Sequence, residues 1–364
     1  MSAPLVTTVI ATYRRPDLVR RAIRSALGQS LPEVRVAVYD NASGDETGEV
    51  VRALQDRDGR VTYHRHASNI GASANYNYGL SRVDTPYFSL LGDDDVLLPG
   101  LYKEAVKTLE RHPECQFFCA RTIVDNRNAG VLQHRGAWPA GVYEPSAAVT
   151  KRMIEDHFIN TAVVFRRSML ESAGYFDHLG SDRNYIVLAA ARHPFAVTER
   201  ELGVMTVHDR SFSGGGTTTD FGSGTEYSWG ARYVIESHEE LARRLADMPW
   251  TAGERELLME TLRRQTRREL IYVSVTAPDA ARAAACVRET RAAAPQMRFG
   301  FAARAALATA AGAMSVRPAA RALHAAASRL WRLTKRVRAA DSRDGEVRDY
   351  LAALDSGDNR PAGA

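Results

Sequence analysis

The stretch that decides the fold is Tyr87-Phe88-Ser89-Leu90-Leu91-Gly92-Asp93-Asp94-Asp95. Its first five residues form an apolar run that is typical of a buried strand, and three consecutive acids follow shortly after. Carboxylates this close repel one another unless a positive charge lies among them, and a divalent cation is one such charge. Open α/β sheets keep their ligand crevices at the carboxyl ends of strands. The stretch therefore predicts a metal and diphosphate site rather than a solvated acidic turn.

Strands and helices alternate along the first hundred residues. Apolar runs predict strands at residues 6–11, 34–39, 61–64 and 87–91. Helical spacing predicts helices between them, at residues 17–28, 46–55 and 72–81. Strands that alternate with helices of this length are typical of parallel βαβ units. The expected fold class is α/β, with a doubly wound, Rossmann-like sheet.

The later sequence divides by composition into three further parts. Helix and strand patterns continue to residue 212, including a strand pair within 197–207, so the first domain is expected at 1–212. The glycine-rich composition of residues 213–228 predicts a flexible loop or lid. Residues 229–340 are rich in Ala, Arg, Leu and Glu, which predicts a helical C-terminal region. The polar residues 341–364 are expected to form a partly disordered tail.

Composition excludes several classes of protein. The chain has 364 residues, 45% of them hydrophobic, which supports a sizeable core. Its three cysteines are too few for a disulfide framework and have no zinc spacing. Neither a secretory leader nor a membrane span is visible in the sequence, so a cytoplasmic location is expected.

The basic charge is concentrated near the C-terminus. Residues 290–340 hold ten Arg or Lys and no Asp or Glu, so the net charge of +5 leaves the rest of the chain acidic. An acidic body argues against nucleic-acid binding. Residues 319–338 form an amphipathic basic pattern. This pattern fits either peripheral contact with an anionic membrane surface or a lipid-linked acceptor, or a solvated helix face.

Several short motifs follow the predicted strands in order. They are Thr12-Tyr13-Arg14-Arg15-Pro16, Asp40-Asn41-Ala42-Ser43, Asn69-Ile70-Gly71, the acid triplet, Gly174-Tyr175-Phe176-Asp177 and Ser181-Asp182. The series, over about residues 5–212, resembles the family 2 glycosyltransferases of the GT-A fold. The resemblance implies an inverting enzyme that takes sugar from a nucleoside-diphosphate donor, most readily a UDP sugar, with Mn²⁺ or Mg²⁺. A mixed sheet with a C-terminal helical appendage is then expected.

The resemblance also assigns roles on the donor side. Asp40 is expected to accept a hydrogen bond from the imide N–H of uracil, although an Asx turn or helix cap would also explain it. Asp93 and Asp95 form a D-x-D pair that, in an extended segment, would face one side. Asp95 is the expected metal ligand, and Asp94 fits equally if the backbone turns. Donor contacts are expected from the residues that match the family motifs: Thr12, Tyr13, Arg14, Asn69, Asp93 and Asp94.

Two further residues complete the expected site. Asp182 is the candidate general base for the acceptor hydroxyl, with an N-cap of the following helix as the alternative. His208, at the end of a strand, is a candidate ligand of the metal or diphosphate, or a structural histidine. The family often has an acidic residue directly before the base, where this chain has Ser181. Tyr76 stands where many relatives carry Arg.

Two other functions remain open at the level of sequence. A sugar-nucleotide nucleotidyltransferase shares the layout, but it needs a glycine-rich phosphate loop that residues 11–16 lack. A non-catalytic nucleotide-sugar binding protein would tolerate loss of the acids that this chain keeps. The sugar and the acceptor, whether glycan, lipid-linked or small molecule, are not specified by the sequence.

Overall fold

The computed structural model describes residues 3–128, 130–172, 182–208, 210–211, 217–220, 225–228, 231–276 and 344–356. The strands in these ranges are β1 (Val6–Thr12), β2 (Val34–Asp40), β3 (Val61–Arg65), β4 (Tyr87–Gly92), β5 (Val96–Leu97), β6 (Phe117–Asn126), β7 (Val131–Arg135), β8 (Gly141–Tyr143), β9 (Val163–Arg166), β10 (Phe195–Val207), β11 (Thr217–Asp220) and β12 (Thr225–Ser228). The α-helices are α1 (Pro16–Leu27), α2 (Thr47–Gln55), α3 (Ala72–Leu80), α4 (Leu101–Arg111), α5 (Ala147–Glu155), α6 (Ser168–Ser172), α7 (Asp182–Arg192), α8 (Ala231–Ala246), α9 (Ala252–Thr276) and α10 (Asp344–Ser356).

One mixed sheet carries the fold, in the order β3-β2-β1-β4-β9-β6-β10-β5. Its first four strands are parallel. Thr12 pairs with Asp40 across β1 and β2, and Ala11 pairs with Gly92 across β1 and β4. Because these strands end at the same edge, the polar turns that follow them lie side by side. The predicted doubly wound mixed sheet with C-terminal helices is confirmed.

The second half of the sheet differs from the expected pattern. Strand β9 runs antiparallel between β4 and β6, and β10 runs parallel to β6. The expected strand pair within 197–207 is instead the single strand β10. The register of β10 against β6 shifts between Val197 and Glu201 and again before Gly203. The polar stretch 198–201 interrupts the pairing but not the strand, because β-bulges absorb extra residues without ending it.

Helices α8 and α9 continue the main core. They pack on α5 and α7, and Leu241, Leu258 and Leu262 belong to the same buried cluster as Phe165 of β9. The described part of the predicted helical region is therefore joined to the sheet by apolar packing; residues 277–340 lie outside the described ranges. Although α9 has 25 residues, no described helix is both long and apolar enough to cross a membrane.

The expectation of a disordered tail is wrong for residues 344–356. They form α10, whose Val347 and Leu351 are buried beside Val96 and Ile123. These two residues are spaced i, i+4, so they share one face of a helix. The stripe is short and surrounded by polar residues, and it becomes recognisable only when an apolar partner faces it.

The expected glycine-rich lid at 213–228 contains regular structure. Strands β11 and β12 pair as an antiparallel hairpin, with β11 next to α3. The prediction of a loop weighed the glycines but not the threonines, whose β-branched side chains favour strands. The structure therefore corrects the prediction for these two strands; the remainder of the segment lies outside the described ranges. Strands β7 and β8 and helix α5 were also not predicted.

Candidate active site

The three acids lie in a tight turn between β4 and β5. The Asp95 N–H donates to the Gly92 carbonyl oxygen at 3.1 Å, which closes the turn. A Cβ on Gly92 would lie 3.0 Å from Asp94 Oδ1 and 3.2 Å from Asp95 Oδ2, so glycine leaves room for the carboxylates. The expectation that Asp93 and Asp95 face one side of an extended segment is wrong. The turn sends them to different partners and places Asp94 between them.

Asp93 is held on the side of β1. Its Oδ2 accepts a hydrogen bond from Thr12 Oγ1 at 2.8 Å, and its Oδ1 accepts one from Arg15 Nη1 at 2.8 Å. Burial raises the pKa of Asp93, against the opposing charge of Arg15. The predicted grouping of Thr12 with Asp93 is present in the structure, and both oxygens of Asp93 are engaged by the protein.

Asp95 points toward the second half of the sheet. Thr161 Oγ1 donates to Asp95 Oδ2, and the Thr206 N–H donates to Asp95 Oδ1 at 2.9 Å. Burial, followed by the neighbouring charge of Asp94, raises the pKa of Asp95 to about 8. Both oxygens of Asp95 are thus engaged by the protein, and they tie the acid turn to the second half of the sheet.

Asp94 is the most open member of the turn. Its side chain is 16% exposed, compared with 7% for Asp93. Asp94 Oδ2 lies 3.2 Å from Arg15 Nη1 and 3.3 Å from His208 Nε2. His208 Nδ1 accepts from the Arg210 N–H at 3.2 Å, so in the neutral ring the proton is on Nε2, facing Asp94. Asp94 and His208 therefore meet at the end of β10, as a shared ligand pair requires.

Two arginines contact the turn, and one of them pairs with its carboxylates. Arg15 bridges Asp93 and Asp94, and burial alone would lower its pKa, but these two carboxylates outweigh burial and raise it. Arg21, which is 1% exposed, donates from Nη2 to the Asp94 carbonyl oxygen at 2.8 Å and to Thr206 Oγ1 at 2.6 Å. The chain thus places one positive charge of its own, that of Arg15, against two of the three acids.

Asp182 and Tyr76 lie near enough to the acid turn for their charges to interact with it. Burial, followed by the charges of Asp93, Asp94, Asp95 and Asp182, raises the pKa of Tyr76 well above its usual range. Asp182 begins α7 and is exposed, and its Oδ1 accepts from the Arg183 N–H at 2.8 Å. Desolvation by the surrounding protein still raises the pKa of Asp182, against that hydrogen bond. The carboxylate of Asp182 is thus open to solvent, and its charge interacts with those of the acid turn.

The turns after β1 and β2 form the neighbouring part of the site. The Arg14 N–H donates to Ser43 Oγ at 2.8 Å. Arg14 and Ala42 both have positive φ, 54° and 65°, a strained conformation that functional sites often keep. The Arg14 guanidinium lies over the ring of Tyr13, 5.0 Å from its centroid.

Asp40 is fully enclosed in these turns. It has 0% exposed surface, its Oδ1 accepts from the Ser43 N–H at 2.8 Å, and its Oδ2 accepts from Tyr63 Oη at 2.6 Å. This is the turn-capping arrangement that the sequence left open as the alternative. Asn41 links the turn to α3, because its Nδ2 donates to Asn69 Oδ1 at 2.8 Å.

The predicted residues fall into two adjoining groups. The acid turn brings together Thr12, Asp93, Asp94, Asp95, Asp182 and His208, whereas Tyr13, Arg14, Asp40 and Asn69 line the neighbouring turns. The sequence did not identify Arg15, Arg21, Tyr76, Thr161 and Thr206 as contributors. Arg15 had a signal, since it lies inside the first motif. The threonines had none, because their role depends on β9 and β10 meeting the turn. The motif at 174–177 and Ser181 lie outside the described residues.

The donor set fits a divalent cation only with help from a ligand. In the described ranges, no three His, Cys, Asp or Glu side chains converge as a metal site. Asp94 and His208 supply one oxygen and one nitrogen on the same side. Mg²⁺-type sites in phosphate chemistry often use one or two protein ligands and complete the shell with phosphate oxygens and water. The pair fits such a site.

Comparison with known proteins gives a family match for part of the chain. The model of the family described as Glycosyl transferase family 2 matches residues 7–174. An uncharacterized glycosyltransferase of Methanocaldococcus jannaschii is 21% identical over 192 residues, which cover 51% of this chain and 63% of that protein. Residues 7–174 of the chain therefore match glycosyl transferase family 2.

Further similarities extend this family 2 assignment to the fold. The GalNAc(5)-diNAcBac-PP-undecaprenol beta-1,3-glucosyltransferase of Campylobacter jejuni is 33% identical over 98 residues, 27% of this chain and 32% of that protein. The crystal structure of S. aureus TarS 1-349 in complex with UDP-GlcNAc has a TM-score of 0.58 at 15% identity. It covers 80% of this chain and 82% of the TarS chain, and shows that the GT-A fold is shared.

The family 2 segment does not contain the whole site. The matched regions span less than two thirds of the two relatives' own lengths. In this chain the segment ends at residue 174, before Asp182, Thr206 and His208. The family match therefore covers the acid turn and the nucleotide-side turns, while the candidate base and the candidate histidine ligand rest on the geometry alone.

Proposed function

We propose that this chain transfers a sugar from a nucleoside-diphosphate sugar, in the first instance a UDP sugar, to an acceptor hydroxyl with inversion. The observation that carries the proposal is the juxtaposition of the acid turn, His208 and Asp182 at one edge of the sheet. The family 2 match supports the reaction class.

Asp94 and His208 would hold Mn²⁺ or Mg²⁺ in this site. When bound, the cation neutralises the departing nucleoside diphosphate. To serve as a ligand, His208 must move its proton from Nε2 to Nδ1, and the hydrogen bond from the Arg210 N–H to Nδ1 must then break. Asp95 keeps the turn in place through Thr161 and Thr206. This assignment chooses Asp94 over Asp95 as the metal ligand.

The turns after β1 and β2 would hold the nucleotide. Arg14 is exposed and able to reach phosphate, and Tyr13 offers a half-buried ring beside it. Asp40 has no exposed surface, so a base can contact it only after the segment 41–44 shifts. Until then Asp40 shapes the nucleotide side indirectly, through Ser43 and through Asn41 to Asn69.

Asp182 would act as the general base. A raised pKa suits this role, because a base is most effective when its pKa approaches the working pH. With the donor sugar on the acid turn, the carboxylate removes the proton from the acceptor hydroxyl as the oxygen attacks the anomeric carbon. A single displacement of this kind inverts configuration.

The test is a donor panel assayed with and without metal. UDP-GlcNAc, UDP-glucose and GDP-mannose would each be incubated with mixed acceptors and Mn²⁺, and release of nucleoside diphosphate followed. We expect release with one donor and loss of release in excess EDTA. Release of pyrophosphate from a nucleoside triphosphate and a sugar phosphate would instead identify a nucleotidyltransferase. Saturable donor binding without any release, across acceptors, would identify a binding protein.

The same panel would also identify the class of acceptor. The acceptor class is a glycan, a lipid-linked molecule or a small molecule, and a lipid-linked sample belongs in the panel for that reason. The basic segment 319–338, which motivated the possible membrane contact, lies outside the described residues. The cytoplasmic location remains a prediction of the sequence.

A further inference from the structure

A buried ion pair holds α7 at the residue that follows the candidate base. Arg183 follows Asp182 in the chain, and its Nη1 lies 2.7 Å from both Oε1 and Oε2 of Glu269 in α9. The two side chains are 7% and 14% exposed. The contact joins residues 86 positions apart, so it ties the C-terminal helices to the first turn of α7.

Other polar contacts reinforce this clamp, which we define as Arg183, Glu269 and Ser237. Arg183 Nη2 donates to Ser237 Oγ of α8 at 3.2 Å, and the next residue, Asn184, donates from Nδ2 to the Ser237 carbonyl oxygen at 2.8 Å. Gln265 Nε2 donates to Glu269 Oε1 at 2.8 Å. Both α8 and α9 therefore hold the turn that begins with Asp182.

The clamp keeps its charges across the working pH range. Burial alone would raise the pKa of Glu269, but Arg183 lowers it to about 2. Burial, followed by the charge of Arg183, lowers the pKa of His238 to about 3, so this neighbour stays neutral. Thr266 Oγ1 donates to the Leu262 carbonyl oxygen and so accepts from His238 Nδ1–H at 2.6 Å. One cation and one anion thus face each other in a buried setting.

We propose that Glu269 is a positioning residue for sugar transfer, acting through Arg183 to fix the first turn of α7 and with it the carboxylate of Asp182. The inference rests on the proposed role of Asp182 as base. A buried ion pair is weak evidence for stability, since apolar residues of similar size often stabilise as well. It does fix geometry, and a displacement of about 1 Å at a reacting group can cost about a hundredfold in rate.

The experiment compares variants of α9 in the full-length protein. Glu269→Gln removes the charge, and Glu269→Asp keeps it. Glu260→Gln is the matched control, because Glu260 lies on the same helix in an exposed pair with Arg263. Leu262→Ala, at a site 3% exposed on the same helix, lowers stability without touching the clamp. Each variant is assayed well below its melting temperature for kcat, donor KM, UDP affinity and amide exchange at residues 182–185.

We expect Glu269→Gln to lower kcat by about 10- to 100-fold, with donor KM and UDP affinity unchanged, and to speed exchange at residues 182–185. Glu269→Asp should recover most of both properties, and Glu260→Gln and Leu262→Ala should leave kcat near the wild-type value. The proposal is overturned if Leu262→Ala lowers kcat as much as Glu269→Gln, or if kcat is unchanged although exchange rises. If Glu269→Gln does not fold, wild-type kcat together with wild-type exchange at residues 182–185 in Ser237→Ala, which removes the contact to Arg183 Nη2, overturns it equally.

Failure of the proposed function gives a different pattern. It would appear as no transfer by the wild-type protein with any donor. The exchange measurement would still decide whether Glu269 fixes α7: faster exchange at residues 182–185 in Glu269→Gln but not in Glu260→Gln supports the clamp, and equal exchange overturns it.

Discussion

Replacing Arg15 by Gln is expected to tighten Mn²⁺ binding in the absence of nucleotide. Arg15 Nη1 lies 2.8 Å from Asp93 Oδ1 and 3.2 Å from Asp94 Oδ2. It therefore holds a positive charge against the oxygen that would bind the metal. A cation that enters at Asp94 must break the longer contact and remain close to the guanidinium. Gln keeps the approximate length of the side chain and removes that charge.

Two opposing effects set the size of the change. A unit charge and a divalent cation about 5 Å apart repel by about 7 kcal/mol at an effective dielectric constant of about 20, and partial exposure of Arg15 reduces this. Against the gain, Asp93 loses its counter-charge and binds a proton more readily, since burial already raises its pKa. We expect a net gain of about 1 to 2 kcal/mol, which is about five- to thirtyfold tighter binding.

Titration calorimetry of the full-length protein with Mn²⁺ measures this directly, at constant pH and low salt. Arg20→Gln is the control, because Arg20 lies in α1, the helix that Arg15 directly precedes as its N-cap residue, and Arg20 pairs only with the exposed Asp17 among described residues. Unchanged or weaker Mn²⁺ binding in Arg15→Gln would refute the reasoning that Arg15 competes with the cation. Absence of measurable Mn²⁺ binding in wild type, with and without UDP, would reject the metal site itself.

Three further predictions test the acids and α10. Asp182→Asn should lower kcat by about 10² to 10⁴ while donor affinity persists, because a base acts in the transition state; an unchanged kcat would move the base elsewhere. Asp94→Asn should abolish Mn²⁺ binding seen by calorimetry, whereas Asp95→Asn should preserve most of it, and the reverse order would restore Asp95 as the ligand. Burial alone would lower the pKa of His134, but hydrogen bonds to two carboxylates, one of them in α10, raise it. A group whose pKa is higher in the folded than in the unfolded state stabilises the fold when it is protonated. This contribution to the free energy of unfolding is complete below the unfolded-state pKa of about 6.5, and it is lost as the pH rises through the folded-state pKa. Thermal melts should therefore show His134→Gln destabilised more at pH 5.5 than at pH 9, and an equal deficit at both pH values would contradict the assignment.

The placement of the turns after β1, β2 and β4 could be predicted from sequence because parallel strands obey a simple rule. Apolar runs marked β1, β2 and β4, and the polar residues after them had to meet at one edge. The registers Thr12 with Asp40 and Ala11 with Gly92 confirm that placement. Only local information was needed, since each motif directly follows its strand.

The charge balance of the acid turn could not be predicted in the same way. The D-x-D reading assumed an extended backbone, whereas the hydrogen bond from Asp95 to Gly92 closes a turn. The sequence also did not show which side chains return to the turn. Arg21 reaches the Asp94 carbonyl oxygen from a position that sequence alone would place in the buried face of α1, where a charge is unexpected. Its partners become apparent only when β10 lies beside the turn.

The acid turn depends on strands from outside the family 2 segment. Residues 7–174 contain the turn itself, but Asp95 Oδ1 takes its hydrogen bond from the N–H of Thr206, and Arg21 takes one of its acceptors from the same residue. Strand β5, directly after the turn, pairs with β10 through Gly203 and Val204. Without β10, a buried carboxyl would lose a backbone donor, and an unpaired buried polar group costs about 1 to 3 kcal/mol. The segment that identifies the family is therefore not sufficient to build the site, and the geometry of the acids is set jointly with the part of the chain that carries His208 and Asp182.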